Sequence, residues 1–232
     1  MTTPLNSRIK RDRQFPTDVA PRFNASQMTK VNRQRSRMMM SQFSKCLFRR
    51  SNEDSLALLE KTDLGFVNFE QIGLSPESAS RQFGFKDCLS RVAATNATGV
   101  ALRFSAVALR SWLLDEAYFK RFSDGPDWVK PGYTIGARTL PLSENNPQVV
   151  AALDLADCVV AGDPYGADYF FRTSQGSEEE NKALQALVPA IQPCLPQGVQ
   201  MQIQPQFFRQ WIGEGLWHAA NNSRQAERSG AQ

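Results

Sequence analysis

Four cysteines are the residues of this chain whose type and spacing most directly suggest chemistry. Cys46 and Cys88 lie 42 residues apart, and Cys158 and Cys194 lie 36 residues apart. An even number of cysteines at comparable separations is typical of a disulfide framework, although four cysteines allow three connectivities. Four small buried thiols are the alternative. A zinc site is not expected, because there is no CxxC motif and the single histidine, His218, is far from every cysteine in sequence.

Motifs that would mark an enzyme are missing from the sequence. There is no Walker A loop, no GxGxxG turn, no HExxH helix and no GxSxG elbow. A Ser/His/Asp or Cys/His mechanism would depend on His218, which lies near a predicted helix end, where the helix dipole favours a half-exposed histidine. We therefore expect no catalytic residue, no cofactor and no metal site.

An internal repeat accounts for much of the sequence. Gly99–Trp112 aligns without a gap with Gly198–Trp211, and the glycine, the following valine, one arginine and the tryptophan are identical. Each copy also contains one pair of cysteines, which favours the disulfides Cys46–Cys88 and Cys158–Cys194. Closing loops of this size stabilises a fold by roughly 3 to 4 kcal/mol in the chain-entropy model, and such bonds persist in oxidising compartments.

The repeat makes an Arg-x-Trp motif equivalent in the two copies. Arg110 and Trp112 correspond to Arg209 and Trp211, and both motifs lie on predicted amphipathic helices. An arginine that clamps a carboxylate beside a tryptophan that stacks would grip a ligand at an interface between the copies. The alternative is a core tryptophan next to an arginine that forms a salt bridge to a neighbouring helix.

Two acids are equivalent in the same way. Asp115 corresponds to Glu214, and a two-fold axis relating the copies would bring the two carboxyl groups together. Paired carboxylates carry out acid/base chemistry on glycosidic bonds. Two solvated helix residues are the alternative.

The apolar pattern predicts a mainly α fold, made from two copies of a roughly four-helix module. The first helix of each copy is expected over residues 34–49 and 147–160. In the first copy the third helix is expected to continue past Cys88. The N-caps of the second and third helices are expected at Ser51, Asp163, Ser75 and Ser177.

A short alternating stretch precedes the last helix of each copy. Val100, Leu102 and Phe104, like residues 199–203, place apolar side chains at period two. This pattern predicts one short strand per copy, and two equivalent strands would pair as a two-stranded ribbon. An extended segment without pairing is the alternative.

These elements divide the chain into five segments. They are a basic, disordered arm (1–33), the first repeat (34–123), an inter-repeat linker packed on the body (124–146), the second repeat (147–222) and a disordered tail (223–232). The linker contains prolines and glycines that break any long helix, but Trp128 and Tyr133 make it too apolar for a solvated connection.

Charge is distributed unevenly along the chain. Residues 1–40 contain nine basic residues and two acids, whereas the remainder has 18 basic and 21 acidic residues. The arm lacks the aromatic residues of a base-stacking surface, so specific nucleic-acid binding is not expected.

No stretch is long and apolar enough for an integral membrane segment. The first residues also lack the apolar core of a secretory signal, so either a signal peptide has been removed or missed, or the protein is cytosolic.

The second copy resembles a group of uncharacterised, exported bacterial proteins that are helical and internally duplicated. The resemblance is carried by Ala-Asp-Cys158-Val-Val, Asp-Pro164, Ser177-Glu-Glu and Cys194-Leu-Pro-x-Gly198, and it covers most of residues 43–222. It implies export to the cell envelope and implies no activity.

The sequence therefore predicts a non-catalytic binding or structural module of the bacterial cell envelope, in the periplasm or secreted. Its partner is unknown, and another envelope protein is one candidate. One alternative is an envelope hydrolase that uses carboxylates at the interface of the repeats. A second alternative is a cytosolic adaptor that binds through its basic N-terminal arm, and it should have free thiols.

Overall fold

The computed structural model of the protein describes residues 33–96, 102, 104–130, 133–196 and 203–230, and this part of the chain is mainly helical. It contains nine α-helices, which we number in chain order: α1 (Arg33–Arg50), α2 (Asn52–Lys61), α3 (Pro76–Gln82), α4 (Phe85–Asn96), α5 (Ala106–Arg121), α6 (Pro147–Gly162), α7 (Pro164–Arg172), α8 (Glu178–Ile191) and α9 (Pro205–Gly230). Short 3-10 turns follow α2 at Phe69–Ile72 and α8 at Gln192–Cys194. A mainly α fold is thus confirmed.

The predicted strands fall mostly outside the described residues, and none of the residues described there is in a strand. Leu102, Phe104 and Ile203 are half-buried and pack against the core. The residues of the predicted basic arm before Arg33 also lie outside the described part of the chain.

Helix starts follow the predicted caps with one exception. Ser75, Asp163 and Ser177 each accept a hydrogen bond from a backbone N–H in the first turn of α3, α7 and α8. Ser51 precedes α2 but does not cap it through its side chain, because its hydroxyl donates to the Leu47 carbonyl at 2.9 Å. Ser51 and Asp163 therefore occupy the N-cap positions that the sequence predicts, but only Asp163 caps its helix through its side chain.

We call the chain before the linker (124–146) the first half and the chain after it the second half. In the first half, the sequence predicts a third helix that continues without interruption past Cys88, but the structure has two helices there. The first of them, α3, stops at Gln82, and α4 starts at Phe85. Gly84 lies between them with φ of +69°, a left-handed conformation that interrupts a right-handed helix. Cys88, on α4, is fully buried.

Two disulfides hold these helices. The first-half disulfide, Cys46–Cys88, joins α1 to α4, and the second-half disulfide, Cys158–Cys194, joins α6 to the turn after α8. These are the two pairings that the repeat favours.

Most of the buried apolar side chains form one continuous cluster that includes residues from both halves. Where the halves meet, Tyr118 and Phe119 of α5 contact the ring of Phe171 on α7, with centroids 5.6 and 5.1 Å apart. The halves therefore share a core.

Within the second half, Gly215 on α9 allows close approach to α6, because a Cβ there would lie 2.9 Å from the Ala156 carbonyl oxygen.

The segment between the halves contacts both of them. The backbone N–H groups of Leu142 and Ser143 donate to the Asp63 carboxylate at 2.9 and 3.1 Å. The Tyr133 hydroxyl donates to the Val160 carbonyl at 2.8 Å, on α6. The Trp128 side chain is buried.

The last helix is longer than the sequence predicts. It extends to Gly230 and so includes most of the segment assigned to a disordered tail from residue 223. The helical hydrogen-bond ladder continues because no proline or glycine interrupts it between Leu216 and Ser229. Within the described ranges, none of the helices has the length and apolarity needed to cross a lipid bilayer.

Candidate functional site

The Arg110 side chain forms a buried ion pair between α5 and α9. Its Nη1 lies 2.5 Å from Oε1 of Glu214, and both side chains are 3% exposed. Its Nη2 donates to the carbonyls of Thr62 and Leu59, at 2.9 and 3.2 Å, where α2 ends. Arg110 therefore closes a helix end and neutralises a buried acid, and its donors point into the protein.

Arg209 occupies a similar position in the second half. Its Nη1 donates to the carbonyls of Thr173 and Phe170, at 2.9 and 3.3 Å, where α7 ends. Its guanidinium lies over the Phe171 ring, 5.1 Å from the centroid. The nearest carboxylate oxygen in an ion pair with Arg209 is Oε1 of Glu180, at 3.9 Å.

The two tryptophans of the Arg-x-Trp motifs are half-buried against the core. The ring of Trp112 meets Phe104 edge-on at 5.4 Å, and that of Trp211 meets Phe208 at 6.3 Å. The structure thus places both motifs at the packed helices, in the arrangement of a core tryptophan beside an arginine that binds a neighbouring element.

The two equivalent acids lie on the facing helices α5 and α9. Burial raises the pKa of Asp115 to about 7, the Arg209 charge opposes this rise, and the charges of Glu116 and Glu214 add to it. Burial also raises the pKa of Glu214, against the attraction of Arg110. The negative charge of Glu214 thus contributes to the raised pKa of Asp115, while Glu214 itself forms an ion pair with Arg110.

His218 belongs to a polar cluster between α6, α9 and the linker. Its Nδ1 lies 3.0 Å from Oδ2 of Asp157, and its Nε2 lies 2.8 Å from Nδ2 of Asn222. Asp157 also pairs with Arg138, whose Nη2 donates to the Glu214 carbonyl at 3.2 Å. Both ring nitrogens of His218 therefore lie within hydrogen-bond distance of polar atoms in this cluster.

A cleft lies between the start of α1, in the first half, and the starts of α8 and α9, in the second half. It has a volume of about 580 Å³, and its walls come from the start of α1, the turn Gln175–Gly176, the first turn of α8 and the start of α9. Such a volume is within the range of small-ligand sites. Across the described residues, no group of three histidine, cysteine or acidic side chains is arranged to hold a metal ion.

One wall of the cleft contains a buried carboxylate, that of Glu180, which is 2% exposed. Its Oε2 accepts from the Gly176 N–H at 2.5 Å, and its own N–H donates to the Ser177 hydroxyl at 3.1 Å. Its Oε1 is buried without a hydrogen-bond donor. An unsatisfied carboxylate oxygen is unusual, because burying it costs free energy that a hydrogen bond would recover.

Arg37 on α1 also lines the cleft, is exposed, and donates through Nη1 to the Gln175 carbonyl at 2.7 Å. Neither Glu180 nor Arg37 stood out as a site residue in the sequence. The signal for Glu180 was present only as the Ser-x-x-Glu cap, which is explained by helix formation alone. The cleft combines three distant segments, so no local pattern could reveal it.

Comparison with known protein families, with characterised proteins and with solved structures finds no match to this chain.

Proposed function

We propose that the protein is an internally duplicated, disulfide-bonded module of the bacterial cell envelope that binds a ligand or partner without catalysis. The observation that carries the proposal is the pair of disulfides, because such bonds persist in oxidising compartments such as the periplasm or the cell exterior. The bacterial assignment rests on the sequence resemblance. The open cleft supports binding.

Matching contacts in the two halves support duplication. Arg110 and Arg209 are equivalent in the repeat, and each binds the carbonyl of the threonine that follows the second helix of its half and the carbonyl three residues earlier. Across the halves, Arg110 pairs with Glu214, while Arg209 is attracted to Asp115, the counterpart of Glu214. Such reciprocal pairing is characteristic of a two-fold interface.

The export part of the proposal is tested by fractionation of bacterial cells that make the protein from its own gene. Osmotic shock should release the protein with periplasmic marker enzymes, or it should be found in the medium. Retention with cytosolic markers would overturn the assignment to the envelope and favour the adaptor that binds through its basic arm.

The hydrolase alternative has one observation in its favour, the pKa of Asp115 near 7, which suits a general acid at neutral pH. It ranks second because Glu214, its required partner, is 3% exposed and engaged by Arg110. The test is release of reducing ends from purified cell-wall glycan. Release by the native protein that disappears in Asp115→Asn would favour the hydrolase.

A further inference from the structure

We propose that one exposed face of the first half binds an anionic membrane surface by electrostatic attraction. This basic face consists of Arg37, Lys45 and Arg49 of α1, Lys120 of α5 and the apolar side chain of Met38. A lipid bilayer is the partner because the inference rests on the proposed function, in which the protein belongs to the cell envelope.

The spacing of the cations on α1 places them on one side of the helix. Arg37, Lys45 and Arg49 are exposed, and they lie eight and four residues apart, within about a third of the helix circumference. The opposite side of α1 contributes Phe43 and Leu47 to the core, and the first-half disulfide ties the helix to α4. The helix therefore presents these charges from a fixed position.

The fold adds a fourth cation from another helix. The Nζ atom of Lys120 on α5 lies 5.6 Å from the centroid of the Phe48 ring on α1, and Lys120 is exposed. Phe48 directly precedes Arg49 near the end of α1. Lys120 therefore extends the basic face beside that end of the helix.

The acid beside these cations does not neutralise them. Glu116 on α5 interacts electrostatically with Lys45 and Arg49, but it is partly buried and accepts a hydrogen bond from the Ser44 hydroxyl at 3.0 Å. Burial raises the pKa of Glu116, against the effects of that hydrogen bond and of the two cations. Across the described residues, none of the four cations of the basic face forms an ion pair. Four positive charges thus outweigh the charge of Glu116.

Met38 favours a lipid bilayer over nucleic acid as the partner. Its side chain is 47% exposed and lies on the same side of α1 as Arg37 and Lys45. An apolar side chain on a basic face gains free energy at the boundary between headgroups and acyl chains, whereas a nucleic-acid backbone offers it no apolar surface. The five side chains of the face also include no aromatic ring on which a base would stack.

The sequence before α1 has the same sign of charge. Residues 1–32 contain six basic residues and two acids. Each Lys or Arg near an anionic bilayer raises the affinity by roughly fivefold, and the attraction falls off within a Debye length of about 8 Å at physiological salt. Binding through the basic face should therefore weaken as the salt concentration rises.

Sedimentation of the oxidised full-length protein with sucrose-loaded vesicles tests the proposal. One set of vesicles contains phosphatidylcholine alone, and the other contains phosphatidylcholine mixed with phosphatidylglycerol. At low salt we expect affinity for the anionic vesicles to exceed that for the neutral vesicles by about tenfold or more, and this preference should decline at physiological salt. Equal binding to both sets, or binding to neither, would overturn the proposal.

Variants identify the surface that binds. Lys45→Gln/Arg49→Gln should lose about twentyfold in affinity for the anionic vesicles, and Lys120→Gln about fivefold. Lys130→Gln/Lys182→Gln is the matched control, because it removes two positive charges from exposed positions outside α1 and α5, and it should bind as the native protein does.

An unchanged affinity in Lys45→Gln/Arg49→Gln, or an equal loss in the control, would contradict binding through the basic face. A preference for duplex DNA over anionic vesicles at equal phosphate concentration would assign the face to nucleic acid and overturn the proposal as well. Met38→Ser should weaken binding to vesicles but not to DNA. None of these results bears on the disulfides or on export, so failure here is distinguishable from failure of the proposed function.

Discussion

Replacing Asp115 by asparagine should stabilise the protein at alkaline pH and leave it nearly unchanged in acid. Burial raises the pKa of this carboxyl from 3.8 to about 7. Between these values the folded protein holds a proton that the unfolded chain has lost, so stability falls as pH rises through this interval and levels off above it. Asparagine has no proton to lose, so this loss should disappear in the variant.

The expected magnitude follows from the size of the shift. Each pKa unit corresponds to about 1.4 kcal/mol, so a rise from 3.8 to about 7 gives an upper bound of about 4 kcal/mol. Asp115 retains partial exposure, and screening by solvent reduces the effect, so we expect about 2 to 3 kcal/mol. The variant should exceed the native protein by this amount at about pH 8 and match it at about pH 4.

Urea denaturation of the oxidised protein at both pH values measures the difference. Asp154→Asn, the same substitution at an exposed position of α6, is the matched control. A stability difference between Asp115→Asn and the native protein that is the same at both pH values would refute the reasoning.

Three further changes test the packing. Arg110→Met should cost about 3 to 5 kcal/mol in urea denaturation, because it leaves the Glu214 carboxylate buried without its partner; a cost below about 1 kcal/mol would contradict a buried ion pair. Gly215→Ala should cost about 1 to 3 kcal/mol, because its methyl group would press on a backbone oxygen at 2.9 Å, whereas Gly162→Ala, with a nearest contact at 3.8 Å, should be tolerated. Limited reductant should open the second-half disulfide first, since Cys158 is exposed and Cys88 of the first-half disulfide is fully buried; alkylation and peptide mass spectrometry would reveal the reverse order if this is wrong.

Much of the fold could be predicted from the sequence, because helix ends and disulfides leave local marks. Asp163 and Ser177 were identifiable as caps from residue type and spacing, and the repeat pointed to the cysteine pairs. The break at Gly84 was missed because a glycine within a helical pattern does not by itself reveal its φ angle. The extent of α9 was missed because a polar segment without breakers is compatible with both helix and coil.

The candidate site was much less accessible to prediction. The equivalence of Asp115 and Glu214 indicated that they would be near each other, but which acid is neutralised depends on the fold. In the structure Glu214 forms an ion pair with Arg110 at 2.5 Å, whereas burial raises the pKa of Asp115. The unsatisfied oxygen of Glu180 depends on the distance to Arg209, and no sequence pattern encodes a distance of that kind.

The central claim is an exported, duplicated protein with one disulfide in each half. The most direct test is to alkylate free thiols in intact cells that make the protein, isolate it and map its cysteine peptides without reduction. The account predicts no alkylated cysteine, with Cys46 linked to Cys88 and Cys158 linked to Cys194. Links between the halves would contradict the duplication, and four alkylated thiols would contradict the oxidising compartment.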